Sequence, residues 1–256
     1  MTTAPGAVLF DLDGVLTPTA EVHRKAWAAL FSPFFEERGL AAYTDDDYFD
    51  HIDGLPRFDG VRGMLAARGV ELPEGEVDDP AGEETVCGLG NRKNELFTQV
   101  LVSEGVKPYP GSVRLLDRLW MAGTPIAVVS SSRNAEAVLT AAGLRQRFGV
   151  VVDGSVAARE GLAGKPAPDT FRYAAELLEV AEADAVVVED AVSGVQAGAA
   201  GSFAQVIGVD RGAGADTLRE AGATSVVSDL GDLVAAWFGE ASFEPPAPQE
   251  GSEDQR

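Results

Sequence analysis

Six short apolar runs, each leading through a polar or glycine turn into a helical pattern, limit what this chain can fold into. They lie at residues 7–10, 126–130, 150–152, 185–188, 204–209 and 225–227. Strands that are apolar throughout, rather than alternating, are buried on both faces. Alternated with helices, they give a parallel sheet covered on each side. Helical patterns fall at 112–121, 135–142, 169–180 and 192–199, and Phe171, Ala175 and Leu178 place an apolar stripe on the third. The expected class is α/β, with a doubly wound parallel sheet.

The alternation breaks once. Between about residues 20 and 106 there are helical patterns and turns but no buried strand. Residues 21–37 and 91–104 read as long helices. Residues 41–90 read as shorter ones, with an acidic, Gly/Pro-rich stretch at 72–82. An all-helical insert after the first strand sits above the carboxyl ends of the sheet, where open α/β folds bind ligands. The expected organisation is a core of 1–18 and 107–238, a helical cap domain of 19–106, and a tail of 239–256. In that tail Glu240, Glu244, Glu250, Glu253 and Asp254 stand among Pro, Gly and Ser, a composition that cannot bury a core and reads as disordered.

Charge narrows the partners. A formal net charge of −21 repels nucleic acid and anionic membrane surfaces, and leaves small molecules as the expected ligands of a monomer or weak dimer. A phosphate site would have to be built from local cations. The single cysteine, Cys87, allows no intramolecular disulfide and reads as a packed thiol in a reduced, cytoplasmic setting. The N-terminus lacks a basic region followed by a long apolar run, so no signal peptide is expected.

Four segments carry chemistry. The first strand runs into Asp11-Leu12-Asp13-Gly14, two carboxylates that can share a crevice if Gly14 lets the chain turn. A calcium loop does not fit, because Gly14 comes too early and no ligand series follows. A second strand ends in Ser130-Ser131-Ser132-Arg133-Asn134, where hydroxyls and N–H groups at a helix start suit phosphate. Third, Gly164-Lys165-Pro166 restrains a lysine between a turn and a proline. Fourth, an apolar strand ends in Glu189-Asp190, costly unless the acids cap a helix or bind a cation such as Mg²⁺.

In this order the four segments resemble the haloacid dehalogenase superfamily, whose Rossmann-like core carries DxDG, a strand-end Ser, a loop Lys and a final acidic pair. The resemblance implies that Asp11 is a nucleophile that becomes transiently phosphorylated and that Asp13 is the general acid and base. It further implies that Ser130 and Lys165 hold the transferring phosphoryl group. Mg²⁺ would lie among the Asp11 carboxylate, the Asp13 carbonyl, Asp190 and Glu189, the last directly or through water. Within the superfamily, the segment Thr17–Trp27 with His23, the loop Asp53-Gly54-Leu55-Pro56-Arg57, and Arg92-Lys93-Asn94 resemble the cap of β-phosphoglucomutases. By that likeness Arg57, Ser132, Arg133 and Asn134 bind a distal phosphate, and Lys93 and His23 reach the substrate. Trp27 reads as cap core. Two departures, Pro18 in place of an acidic residue and a long stretch between Arg57 and Arg92, leave open a phosphatase acting on a sugar-like or disaccharide-sized phosphate. A non-catalytic sugar-phosphate-binding module is a further alternative.

Overall fold

The computed structural model describes residues 5–239; the expected tail, from residue 240 on, lies outside them. The apolar runs form β1 (Ala7–Phe10), β2 (Ile126–Val129), β3 (Val150–Val152), β4 (Ala185–Glu189), β5 (Gln205–Val209) and β6 (Ser225–Val227). All pair in parallel in the order β3-β2-β1-β4-β5-β6. The chain winds outward from β1 in one direction and then from β4 in the other, so the crevice between β1 and β4 is the switch point where such sheets bind ligands. Ser130, expected within a strand, follows β2, yet its N–H still bonds the Val152 carbonyl at 3.0 Å.

Four helices of the insert follow β1: α1 (Thr19–Glu36), α2 (Asp45–His51), α3 (Arg57–Ala67) and α4 (Val86–Glu104). Then come α5 (Pro110–Ala122), α6 (Ala135–Ala141), α7 (Gly154–Glu160), α8 (Asp169–Leu177), α9 (Val192–Ala200), α10 (Ala215–Glu220) and α11 (Gly231–Phe238). Helix α4 begins five residues before its apolar pattern does, because the Thr85 hydroxyl caps it by accepting the Gly88 N–H at 2.9 Å. Helix α8 ends three residues earlier than its pattern, just before Glu179 takes a left-handed φ of 58°. The acidic run 45–47 opens α2, with Thr44 and Asp47 forming a reciprocal capping box. The stretch 72–82 contains no helix; Arg62 pairs with Glu74, and Thr85 with Asp79, along its course.

Side chains of β1 divide between two cores. Ala7 and Leu9 pack with Val187, Phe171 and Val195 on one face, Val8 and Phe10 with Val188, Leu115 and Val138 on the other. Burying each such large side chain contributes about 1.5–3 kcal/mol. The insert has a third core. Trp27, Leu30, Phe31 and Phe35 of α1 meet Tyr48, Met64, Leu65 and Leu89, with Phe31 stacked against both Trp27 and Phe35. Val22, Ala26, Phe97 and Leu101 join the sheet's cluster instead, rooting α1 and α4 on the strands. Among the described residues no helix is long and apolar enough to cross a membrane.

Candidate active site

Strand ends meet at the switch point. The Asp11 N–H bonds the Val188 carbonyl at 2.9 Å, carrying the pairing one residue past β1. The chain then turns at Gly14, whose φ is +87°; a Cβ there would lie 1.8 Å from Asp190 Oδ2. Both conformation and space demand glycine. Lys165, buried at 3% exposure, donates to Asp11 Oδ1 at 2.6 Å, Glu189 Oε1 at 2.5 Å and the Val129 carbonyl at 3.1 Å. Burial opposes its charge, but the two carboxylates outweigh that and hold Lys165 above the ordinary lysine range. Burial lifts the Asp11 carboxyl well above its usual range; Lys165 opposes the shift, while Glu189 and Asp13 add to it.

Carboxylate oxygens of Asp11, Glu189 and Asp190 lie within 4.8 Å of one another. Glu189 is already engaged on both sides: Oε1 takes Lys165, and Oε2 accepts the N–H groups of Asp190 at 2.8 Å and Ala191 at 3.0 Å. Burial raises Asp190 well above the carboxylate range, and Asp53, Glu189, Asp11 and Asp13 all push the same way. A buried acid surrounded by acids must keep a proton or meet a cation. This all-oxygen donor set fits magnesium.

The Asp13 side chain stands outside that trio. Its Oδ1 accepts from the Thr19 hydroxyl and lies 3.5 Å from His23 Nε2, while Ser130 Oγ donates to Oδ2 at 3.4 Å. Burial works against its charge, but His23, Thr19 and Lys93 prevail and hold the carboxyl below its ordinary range. Lys93 touches His23 Nδ1 and sits 5.1 Å from the ring centres of Trp27 and Phe97. Burial draws Lys93 down to about 7, against the pull of Asp13 and with the push of Arg57. Burial and Lys93 likewise hold His23 below the usual histidine range, against Asp13. A charged His23 would serve Asp13 best, whereas Lys93 opposes that charge. While Lys93 carries its charge it can only donate to Nδ1, so we assign the ring in that state as neutral with its proton on Nε2. Nε2 is buried with no hydrogen-bond partner among the described residues.

A second corner forms between insert and core. The Arg57 and Arg133 guanidiniums lie 4.8 and 5.8 Å from the centre of the Phe58 ring. Burial lowers Arg57 below its ordinary range, and neighbouring Arg133 adds to the effect. Arg57 donates to Asn91 Oδ1 at 2.8 Å, but its Nε is buried without a partner. Two crowded cations with an unanswered donor suit an anion. Nearby, Ser132 Oγ accepts the Asn134 N–H at 3.1 Å, and Asn134 donates to Asn94 Oδ1 at 2.7 Å. One cavity of about 280 Å³ joins both corners. Every site residue expected from the sequence lines it except Lys165, which is buried against Asp11.

Other residues in the site carried no role in the sequence reading. Thr19, fully buried, bonds Asp13 and Thr17. Asp53 lines the cavity; burial raises it to about 6, with Tyr48 opposing, Glu189 adding, and Arg24 and Lys165 opposing. Ser131 and Ser193 bond carbonyls of the insert. The local signals were faint: a Thr-Pro-Thr helix entry and serines that resemble ordinary caps. Trp27 is packed in the insert's core as expected, yet it also lines the cavity. Cys87 is buried.

Comparison with known proteins gives a consistent picture. The family model for haloacid dehalogenase-like hydrolases matches residues 5–201. A β-phosphoglucomutase of Mycobacterium tuberculosis is 48% identical over 240 residues, spanning 89% of this chain and 91% of the relative. A fructose-1-phosphate phosphatase of Escherichia coli is 31% identical, spanning 74% of this chain and 89% of the relative. The crystal structure of a β-phosphoglucomutase from Clostridium difficile superposes with a TM-score of 0.72 at 25% identity, covering 90% of this chain and 93% of that one.

Proposed function

The chain belongs to the haloacid dehalogenase-like hydrolase family, and from that premise we propose that it is a magnesium-dependent, β-phosphoglucomutase-like sugar-phosphate mutase. The observation that carries this reading is the pair of separate anion corners in one cavity, Asp11 with Ser130 and Lys165, and Arg57 with Arg133 around Phe58. A mutase needs both, one for the phosphoryl group in transfer and one to hold the far end of a bisphosphate. Residues 19–106 act in this proposal as a cap domain on a core of 1–18 and 107–238.

Asp11 Oδ attacks phosphorus, and the bond to the sugar oxygen breaks as that oxygen takes a proton from Asp13. In the return step a sugar hydroxyl gives its proton to Asp13 and takes the phosphoryl group from Asp11. Asp13, held ionised in the free protein, suits the base step; the charge of an arriving phosphate raises its affinity for the proton that it later returns. Lys165 keeps Asp11 placed and neutralises charge near it. His23 Nε2, 3.5 Å from Asp13 Oδ1 with no closer hydrogen-bond partner among the described residues, can turn its proton to a substrate oxygen. The Asp11 and Asp190 carboxylates and the Asp13 carbonyl would hold magnesium, with Glu189 acting through water because its oxygens are engaged. Bound there, the ion would supply charge neutralisation and alignment for the transferring group.

The similarity to the fructose-1-phosphate phosphatase favours hydrolysis as the second reading, with water in place of the sugar hydroxyl. A cavity of about 280 Å³ lies at the small end of ligand pockets. The deciding experiment is incubation with Mg²⁺ and a panel of hexose phosphates primed with a hexose bisphosphate, following isomerised sugar and free phosphate together. Isomerised product in excess supports the mutase. Free phosphate alone overturns it in favour of the phosphatase.

A further inference from the structure

The insert is fastened to the core at the loops that surround the nucleophile. Ser193 Oγ, in the first turn of α9, donates to the Asp53 carbonyl at 2.9 Å, and Ser131 Oγ, after β2, donates to the Gly54 carbonyl at 2.7 Å. Gly54 has a φ of +70°, and a Cβ there would lie 2.3 Å from Ser193 Oγ and 2.8 Å from Ala191 Cβ. The loop has come down as far as its backbone allows. Two residues on, Pro56 packs on Gly164, where a Cβ would meet the Pro56 Cγ at 2.7 Å. Ser131 adjoins Ser130, Gly164 adjoins Lys165, and Ala191 adjoins Asp190. The segment 53–56 therefore touches the three core loops that carry Ser130, Lys165 and Asp190.

Resting on the mutase reading above, we propose that Ser131 and Ser193 are positioning residues that decide which acceptor meets the phosphorylated Asp11. Their hold on two consecutive carbonyls keeps the cap loop seated over the nucleophile, so that a sugar hydroxyl bound in the cavity is admitted and bulk water is not. Either acceptor forms a new P–O bond as the bond to Asp11 breaks, and either gives its proton to Asp13. A sugar hydroxyl yields a sugar bisphosphate and water yields inorganic phosphate. Because the acceptors are main-chain carbonyls and the donors neutral hydroxyls, the grip does not depend on the charge state of the site. One such bond changes the ratio of seated to unseated loop by roughly 3- to 10-fold.

The test compares wild type with Ser131→Ala, Ser193→Ala and the double variant. Three quantities are read: isomerised sugar phosphate, free phosphate, and hydrolysis of p-nitrophenyl phosphate, which needs no sugar pocket. The ratio of free phosphate to isomerised product should rise roughly 3- to 10-fold in each single variant and further in the double, with aryl-phosphate hydrolysis rising as well. Both products falling in proportion would overturn the assignment. Should wild type make no isomerised product, the mutase reading fails by itself. The clasp is then judged on the aryl phosphate, and unchanged hydrolysis in the double variant would sink it. Amide hydrogen exchange at residues 53–57 is the second measurement. It should quicken in the variants while the strands keep their protection, and no change there would also refute the proposal.

Discussion

The Lys165 ammonium lies 2.6 Å from Asp11 Oδ1, inside a protein whose formal net charge is −21. It also bonds Glu189, and it is the cation in direct contact with the proposed nucleophile. Replacing Lys165 by Ala leaves two buried carboxylates facing each other and should cost about 3–5 kcal/mol of stability. Urea unfolding of Lys165→Ala checks this; a variant as stable as wild type would mean the carboxylates neutralise themselves by taking up protons.

Asp11→Asn should lower turnover by about 10⁴-fold or more, as expected for loss of a covalent nucleophile. Intact mass after mixing with a hexose bisphosphate should then lack the phosphoryl adduct seen on wild type. Without metal the variant should be no less stable, because the amide cannot take on the charge that burial penalises and its oxygen can still accept from Lys165. Retained turnover would favour a binding module or another nucleophile.

Arg57→Ala and Arg133→Ala should each raise KM for a sugar bisphosphate about 10-fold, the scale of one charge-assisted hydrogen-bonded contact. Hydrolysis of p-nitrophenyl phosphate, which has no distal phosphate, should be unaffected. Equal losses on both substrates would place the arginines in the transfer step instead.

Burial holds Lys93 at about 7, so its ammonium is lost as pH rises through neutrality. The logarithm of kcat/KM for a sugar phosphate should fall on the alkaline side with an apparent pKa near that value. Lys93→Ala should be slower below it and should lose that limb. An unchanged profile in the variant would remove Lys93 from substrate binding.

Asp53, raised to about 6, and Asp190 and Asp11, raised in the same direction, keep protons that the unfolded chain releases. Their contribution to stability is full below about pH 4 and is lost as pH climbs through the folded values. A Tm series without metal should decline accordingly. Mg²⁺ should restore Tm at pH 7 by binding the folded form, and Asp190→Asn should lack the restoration. A metal-independent Tm in wild type would argue against the ion.

Asp11, Asp13, Lys165 and the Glu189-Asp190 pair were legible because each ends a strand or precedes a turn, where local pattern alone fixes the direction of the chain. The strand positions and the helical insert were legible for the same reason, since apolar periodicity is a local property. The engagement of Glu189 was not. It depends on Lys165, 24 residues away, and on two N–H groups that point inward only once α9 is in place. Ser193 and Asp53 are separated by 140 positions, and a serine near a helix start carries no mark of a distant carbonyl. Ends of α4 and α8 shifted because a threonine cap and one left-handed residue outrank periodicity.

Asp190 stands among Asp53, Glu189, Asp11 and Asp13, and this has a consequence for sequence of arrival. A phosphate dianion entering that corner meets five acids against the single ammonium of Lys165. On the magnesium reading proposed above, the ion would load before the sugar phosphate and lessen that repulsion. The order of arrival would then be written into the crevice by five neighbouring acids.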